Sequence, residues 1–163
     1  MKEDALLTKK DRMRYTKDKL SANLILVAIV VDALYFVSIY KSDVGSYYYT
    51  WTIGASIIYN LLFLLTAFLA SEGVKNRKTG YTGILTFIGL MQFVRVFYLP
   101  AQAHAATVTI GQEQMTVMGD SQYIYVVACL IVSGVCCLVA AATSYKNNKT
   151  LAEYMKTIET KPA

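Results

Sequence analysis

The chain is poor in the residues on which enzymes and cross-linked domains depend. Its 163 residues include one histidine, two prolines and three cysteines, and only 17% of them are charged. Three cysteines are too few for a disulfide scaffold, and the abundant aliphatic residues exclude intrinsic disorder. Charged residues make up about a quarter of a typical soluble domain. Here 55% of the residues are hydrophobic and the mean hydropathy is +0.39, so the composition indicates a membrane protein.

Catalytic and metal-binding motifs are also missing from the sequence. It contains no P-loop, GxSxG or HExxH motif, and its glycines do not form GxGxxG. His104 has no second histidine with which to share a metal ion. Cys129, Cys136 and Cys137 fall in one apolar segment at spacings that fit neither a disulfide nor a C-x-x-C redox pair. We therefore expect no enzymatic activity, no cofactor and no metal site.

Four apolar segments are long enough to cross a hydrocarbon core, which takes roughly 20 residues. Each is expected to form a continuous α-helix, because backbone groups in lipid must find hydrogen-bond partners within their own segment. Short loops between consecutive segments force antiparallel neighbours. The predicted fold is all-α, a polytopic up-down-up-down bundle of four transmembrane helices in one domain, with helices at residues 21–40, 50–71, 81–100 and 123–144.

Basic residues predict the orientation of these helices. Of the 16 Lys and Arg residues, seven precede the first apolar segment, three lie in the second loop and four follow the last segment. Because positive charge collects on the cytoplasmic side, both termini are expected to be cytoplasmic in a multi-pass protein of the cell membrane. The chain is then a basic arm (1–20), a transmembrane domain (21–144) and a tail (145–163). The arm is expected to be solvated; the alternative is a helix lying on the anionic inner leaflet.

The connection between the third and fourth segments, residues 101–122, is the longest external loop. Alternating residues at 107–110 and 114–118 flank Gly111, Gln112 and Glu113. This pattern favours a small β-hairpin with a three-residue turn, and an irregular loop is the alternative.

Five polar residues stand out inside the apolar segments. Asp32 and Arg95 are ionisable, and such groups in a membrane usually face the bundle interior and mark a function or a partner. Counted along each helix at about 1.5 Å per residue, all five lie near one depth and are expected to converge. They are Asp32, Asn60, Gln92, Arg95 and Ser133.

Two interpretations of this cluster remain open. In the first, Asp32 and Arg95 form a structural ion pair that fixes helix order. The chain is then a non-enzymatic accessory or assembly subunit of a membrane complex, or a homo-oligomer, whose partners are the bilayer with its anionic inner leaflet and another membrane protein or a second copy. In the second, the cluster binds a small solute or a proton, as in a small four-helix transporter. Nucleic acid is not an expected partner, because topology already explains the positive charge.

Overall fold

The structure is a computed structural model that describes residues 2–40, 50–110 and 113–159. Four of its helical segments are long and apolar enough to cross a membrane, in agreement with the sequence prediction. The elements in chain order are α1 (Lys2–Tyr15), α2 (Lys19–Tyr40), α3 (Thr50–Lys75), α4 (Gly80–Val96), α5 (Leu99–Ala105), β1 (Thr107–Ile110), β2 (Glu113–Thr116) and α6 (Asp120–Glu159).

The long helices pack side by side, each against two others. Both α2 and α4 contact α6 and α3, and the α3–α4 contact is the least extensive of these four. Ser71 near the end of α3 donates a hydrogen bond to the carbonyl of Ala22 near the start of α2, at 3.2 Å. Gln122 at the start of α6 likewise donates to the carbonyl of Ser38 near the end of α2, at 3.2 Å. The end of α3 therefore lies beside the start of α2, and the start of α6 lies beside the end of α2.

The third apolar segment is interrupted, although the sequence predicted one continuous helix from 81 to 100. The structure ends α4 at Val96 and starts α5 at Leu99. Pro100 explains the break, because its ring has no N–H and clashes with the carbonyl of the residue four positions earlier, which is Val96. Pro100 lies instead in the first turn of α5, where its missing N–H leaves no hydrogen bond unmade.

The chain is more helical at both ends than the sequence predicted. Residues 2–15 of the basic arm form α1, and α6 continues through the tail to Glu159. Leu151, Tyr154 and Met155 are half-buried at helical spacing, and α1 packs against α6. An apolar stripe beside a packing partner accounts for the extra turns of α6.

Two short antiparallel strands lie between α5 and α6. Their register pairs Thr107 with Thr116 and Ile110 with Glu113, so Glu113 belongs to β2 and not to the predicted turn. Gly111 and Gln112, the other residues of that turn, lie outside the described residues. The N–H of Val117 bonds the carbonyl of Ala106 at 3.1 Å, which ties the base of the pair together.

Asp18 joins three helices on the side of the bundle where the termini lie. Its carboxylate accepts a hydrogen bond from the N–H of Ser21 at 3.2 Å, as an N-cap of α2 does. It also accepts one from Nδ2 of Asn147 in α6 at 3.0 Å. The N–H of Asp18 donates to the carbonyl of Lys75, the last residue of α3, at 3.0 Å. Asp18 therefore fixes how α2 enters the bundle.

Gly73→Ala is expected to destabilise the protein. A Cβ at Gly73 would overlap the ring of Tyr81, and relieving such an overlap costs about 1–3 kcal/mol. Gly83→Ala is the matched control, because no atom lies within 4 Å of the added Cβ and the change lowers the entropy of the unfolded chain. The free energy of unfolding in mild detergent should fall for the first variant and stay equal or rise for the second. Equal losses in both variants would contradict the Tyr81 contact.

Candidate functional site

A layer of polar side chains separates two apolar clusters of the bundle. One cluster contains Ile25, Phe63 and Leu85, and the other contains Leu99 and Leu130. The polar side chains between them are almost inaccessible to solvent, with exposed fractions from 0% to 9%. They are the five residues predicted from the sequence, Asp32, Asn60, Gln92, Arg95 and Ser133.

An ion pair between α2 and α4 lies at the centre of this layer. Nη1 of Arg95 donates to Oδ1 of Asp32 at 2.9 Å. Nε2 of Gln92 donates to the same carboxylate oxygen at 2.9 Å, and Nη1 of Arg95 also donates to Oε1 of Gln92 at 3.0 Å. Gln92 and Arg95 reach one carboxylate because residues three apart lie on the same face of a helix.

Hydrogen bonds extend the ion pair to α3 and α6. Nη2 of Arg95 donates to Oδ1 of Asn60 in α3. Nε2 of Gln92 donates to Oγ of Ser133 in α6 at 3.3 Å, and Ser133 donates in turn to the carbonyl of Ala28 in α2 at 3.1 Å. The structure therefore brings all five predicted residues into one network, to which each of the four apolar helices contributes a side chain.

Two tyrosine rings flank the guanidinium group. Cζ of Arg95 lies 4.5 Å from the ring centroid of Tyr35 and 4.7 Å from that of Tyr59. A cation over each ring contributes from about 0.5 to 2 kcal/mol, more where the groups are shielded from water. Neither ring is among the five site residues predicted from the sequence. The signal for Tyr35 was its position one helical turn after Asp32, which places both on one face of α2. Tyr59 had no such signal, because adjacent residues of a helix do not share a face.

The network leaves two polar atoms without partners and borders a cavity. Oδ2 of Asp32 and Nδ2 of Asn60 are buried and have no hydrogen-bond partner among the described residues. A cavity of about 310 Å³ reaches Arg95 between α3 and α4. Its polar lining includes Ser56, Tyr59 and Tyr98 as well as Arg95.

The other reactive groups are dispersed. Cys129, Cys136 and Cys137 are free thiols on α6. Within residues 2–40, 50–110 and 113–159, no three His, Cys, Asp or Glu side chains lie close enough together to hold a metal ion. His104 stacks on Tyr123 with ring centroids 4.3 Å apart, next to the strand pair.

The arrangement has the properties of an internally neutralised ion pair. One negative and one positive group contact each other directly, so the layer carries no net formal charge. Removing both charges from water is costly, and their attraction repays that cost only with good geometry and further hydrogen bonds. Gln92 and Asn60 supply those bonds, and the two rings cover the guanidinium faces. Chemically, such a layer is well suited to fixing the relative positions of helices.

Comparison with known proteins assigns no family to the chain. No family model, no curated protein and no solved structure matches it.

A double-mutant cycle on Asp32 and Arg95 should reveal strong coupling. Asp32→Asn and Arg95→Gln each leave a buried charge without its partner, and such losses are typically about 3–5 kcal/mol. The double variant removes both charges, so its loss in the free energy of unfolding should be clearly smaller than the sum of the single losses. The measurement is reversible unfolding in mixed micelles. Strictly additive losses would mean that the pair does not stabilise the fold.

Proposed function

We propose that this chain is a non-enzymatic integral membrane protein of the cell membrane, with cytoplasmic termini and its four apolar helices arranged as an up-down-up-down bundle. It acts as an accessory or assembly subunit of a membrane complex, or as a homo-oligomer. The observation that carries this proposal is the neutral, internally bonded polar layer. Its charged groups bond each other and side chains of neighbouring helices.

The faces of the helices support a role in association. On α3, Leu61, Leu65 and Phe68 are each more than half exposed, and on α2 the same is true of Val30 and Val37. In a bilayer such faces contact lipid or another apolar helix. Because lipid tails are as apolar as these side chains, shape and close packing determine where a second helix binds.

The cleft between α3 and α4 is the best-shaped surface for a second helix. These neighbours pack less extensively than the other adjacent pairs and leave an apolar cavity of about 500 Å³. Gly83 and Thr66 are small residues on its walls, and Ile84 and Phe87 are larger ones. Small residues beside large ones let helices approach closely and interlock, which favours a partner helix or a second copy in this cleft.

Filling the cleft is expected to disrupt association. Ile84→Trp places a bulky ring in the cavity, whereas Leu90→Trp adds the same ring to an exposed position of α4 that does not line it. In mild detergent we expect the wild-type protein and the Leu90→Trp variant to have a mass above that of the monomer. The Ile84→Trp variant should be monomeric by light scattering. A wild-type protein that is monomeric and copurifies with no other membrane protein would contradict the proposed role.

A second candidate function, binding or transport of a small solute, is favoured by the cavity beside Arg95. Its lining contains three tyrosines (Tyr35, Tyr59 and Tyr98) and Ser56, and Arg95 provides N–H donors. Because Asp32 already neutralises Arg95, the site matches a neutral or zwitterionic solute better than an anion. A volume of about 310 Å³ is near the lower end of the range of small-molecule pockets.

This candidate predicts that cavity size controls flux in proteoliposomes. Ala55→Leu fills part of the cavity, and Ala33→Leu makes the same change on α2 away from it. If the protein carries a solute, Ala55→Leu should lower uptake at least several-fold and Ala33→Leu should leave it unchanged. Asp32→Asn should also abolish coupled flux, measured on the fraction of the variant that remains folded after reconstitution. Equal uptake by the two leucine variants would exclude the cavity as the path.

A further inference from the structure

A groove distinct from the cavity beside Arg95 and from the α3–α4 cleft runs along the outside of the bundle, between α4 and α6. It has a volume of about 810 Å³, within the range of ligand pockets. Thr79, Gly83 and Thr86 form one wall, and Leu138, Ala142 and Tyr145 lie on the other. Further along these helices the groove is closed off, because Gly134 lies close to Gly89 and the ring of Phe93. The groove therefore opens toward the side of the bundle where the termini lie.

One end of the groove is positively charged. Lys149 lines it, is exposed, and has no salt bridge with any described residue. The same end holds the start of α4, whose N-cap residue Thr79 makes no side-chain capping hydrogen bond. The first N–H groups of a helix carry partial positive charge and bind anions. In α4 the N–H groups of Tyr81 and Thr82 already donate to the carbonyls of Lys78 and Thr79, so the N–H of Gly80 is the one offered to an anion. None of the residues lining the groove is acidic.

Asn148 is an independent sign of a missing ligand. Its side chain lines the groove and is only 9% exposed. Neither Oδ1 nor Nδ2 has a hydrogen-bond partner among the described residues. Leaving such a buried amide unpaired is unfavourable, because each group gives up its hydrogen bonds to water and gains none in return. The neighbouring Asn147, in contrast, is bonded to Asp18 at 3.0 Å. A polar group of a ligand in the groove would pair with Asn148.

The groove matches the layered polarity of a lipid leaflet. Lys149 lies five residues beyond the end of the apolar segment predicted at 144, or about 7.5 Å along the helix, and its long side chain can reach back toward the core. The headgroup layer extends roughly 5–7 Å beyond the hydrocarbon core on each side. From Lys149 the groove continues past Tyr145 and Ala142 to Leu138, which lies inside the apolar segment. Its charged end is thus at headgroup depth and its apolar end at the depth of acyl chains.

We propose that this groove binds one anionic glycerophospholipid from the leaflet on the side of the termini. The phosphate contacts Lys149 and the N-terminus of α4, and the glycerol or ester oxygens bond the amide of Asn148. One acyl chain lies along Gly83, Ala142 and Leu138. The site is separate from the polar layer and shares only Gly83 with the cleft between α3 and α4, so its tests at Lys149 and Ala142 do not depend on what the protein assembles with or transports.

The test compares two lipids with identical acyl chains on the whole protein. Phosphatidylglycerol or phosphatidylcholine is added to detergent-purified protein, and bound lipid is counted by native mass spectrometry. We expect one phosphatidylglycerol to bind at least about fivefold more tightly than phosphatidylcholine. Lys149→Gln should weaken the binding of phosphatidylglycerol about tenfold, because a charge-assisted hydrogen bond to the phosphate is lost. Lys146→Gln is the matched control, because Lys146 is exposed on the same helix but does not line the groove.

A second pair of variants tests the apolar part of the groove, where the acyl chain is proposed to lie. Gly83→Leu should fold, because no atom lies within 4 Å of the added Cβ and leucine has a higher helix propensity than glycine. Its side chain fills the groove, so the variant should bind neither lipid. Ala142→Leu makes the same test from the opposite wall. Equal binding of the two lipids, or equal losses for Lys149→Gln and Lys146→Gln, would overturn the headgroup site. Unchanged binding in both leucine variants would overturn the acyl-chain site. Competition by soluble glycerol phosphate as strong as by the lipid would assign the pocket to a free phosphate compound.

Discussion

The hydrogen-bonded ion pair of Asp32 and Arg95 is the constraint on which the arrangement of the helices depends. Aliphatic side chains pack almost equally well in several rotations and registers, and in lipid they gain nothing from leaving the solvent. A buried charge, in contrast, has one acceptable position, which is next to its partner. With Gln92, Asn60 and Ser133 bonded to the pair, a rotation or axial shift of α2, α3, α4 or α6 would break at least one of these bonds.

The two apolar clusters follow from this fixed layer. Once Asp32 points inward, Ala28 and Tyr35, one turn to either side, also point inward, and they belong to the two clusters. The same holds on α6, where Ser133 separates Leu130 from Cys137. On the side of the termini, Asp18 adds a second anchor through its hydrogen bonds to α2, α3 and α6. The bundle is thus held by polar contacts at two depths, with apolar packing between and beyond them.

The sequence predicted the parts of this architecture that depend on local composition. The four apolar helices and the five polar positions could be recognised because length and hydropathy are properties of single segments, and because a charge in such a segment is conspicuous. The sequence predicted that Pro100 ends the third helix, whereas its ring clashes with the carbonyl four residues earlier and α4 ends at Val96. The roles of Tyr59 and Asp18 could not be predicted from composition. A tyrosine in an apolar helix and an aspartate just before a helix are both common. Their importance comes from neighbours on other helices.

The polarity of the chain explains why the interior and the exterior of the bundle suit different partners. Inside, each charged group already has its counterpart, so a ligand entering beside Arg95 meets a neutral surface of amide, hydroxyl and aromatic groups. Outside, at the start of α4, Lys149 and an uncapped helix N-terminus remain without a counter-charge within the described part of the chain. A bilayer supplies anionic groups at that depth, whereas the hydrocarbon core offers none. The unpaired positive charge of Lys149 therefore lies where lipid headgroups can neutralise it. Asp32 and Arg95 lie at a depth where lipid offers no counter-charge, and there they neutralise each other.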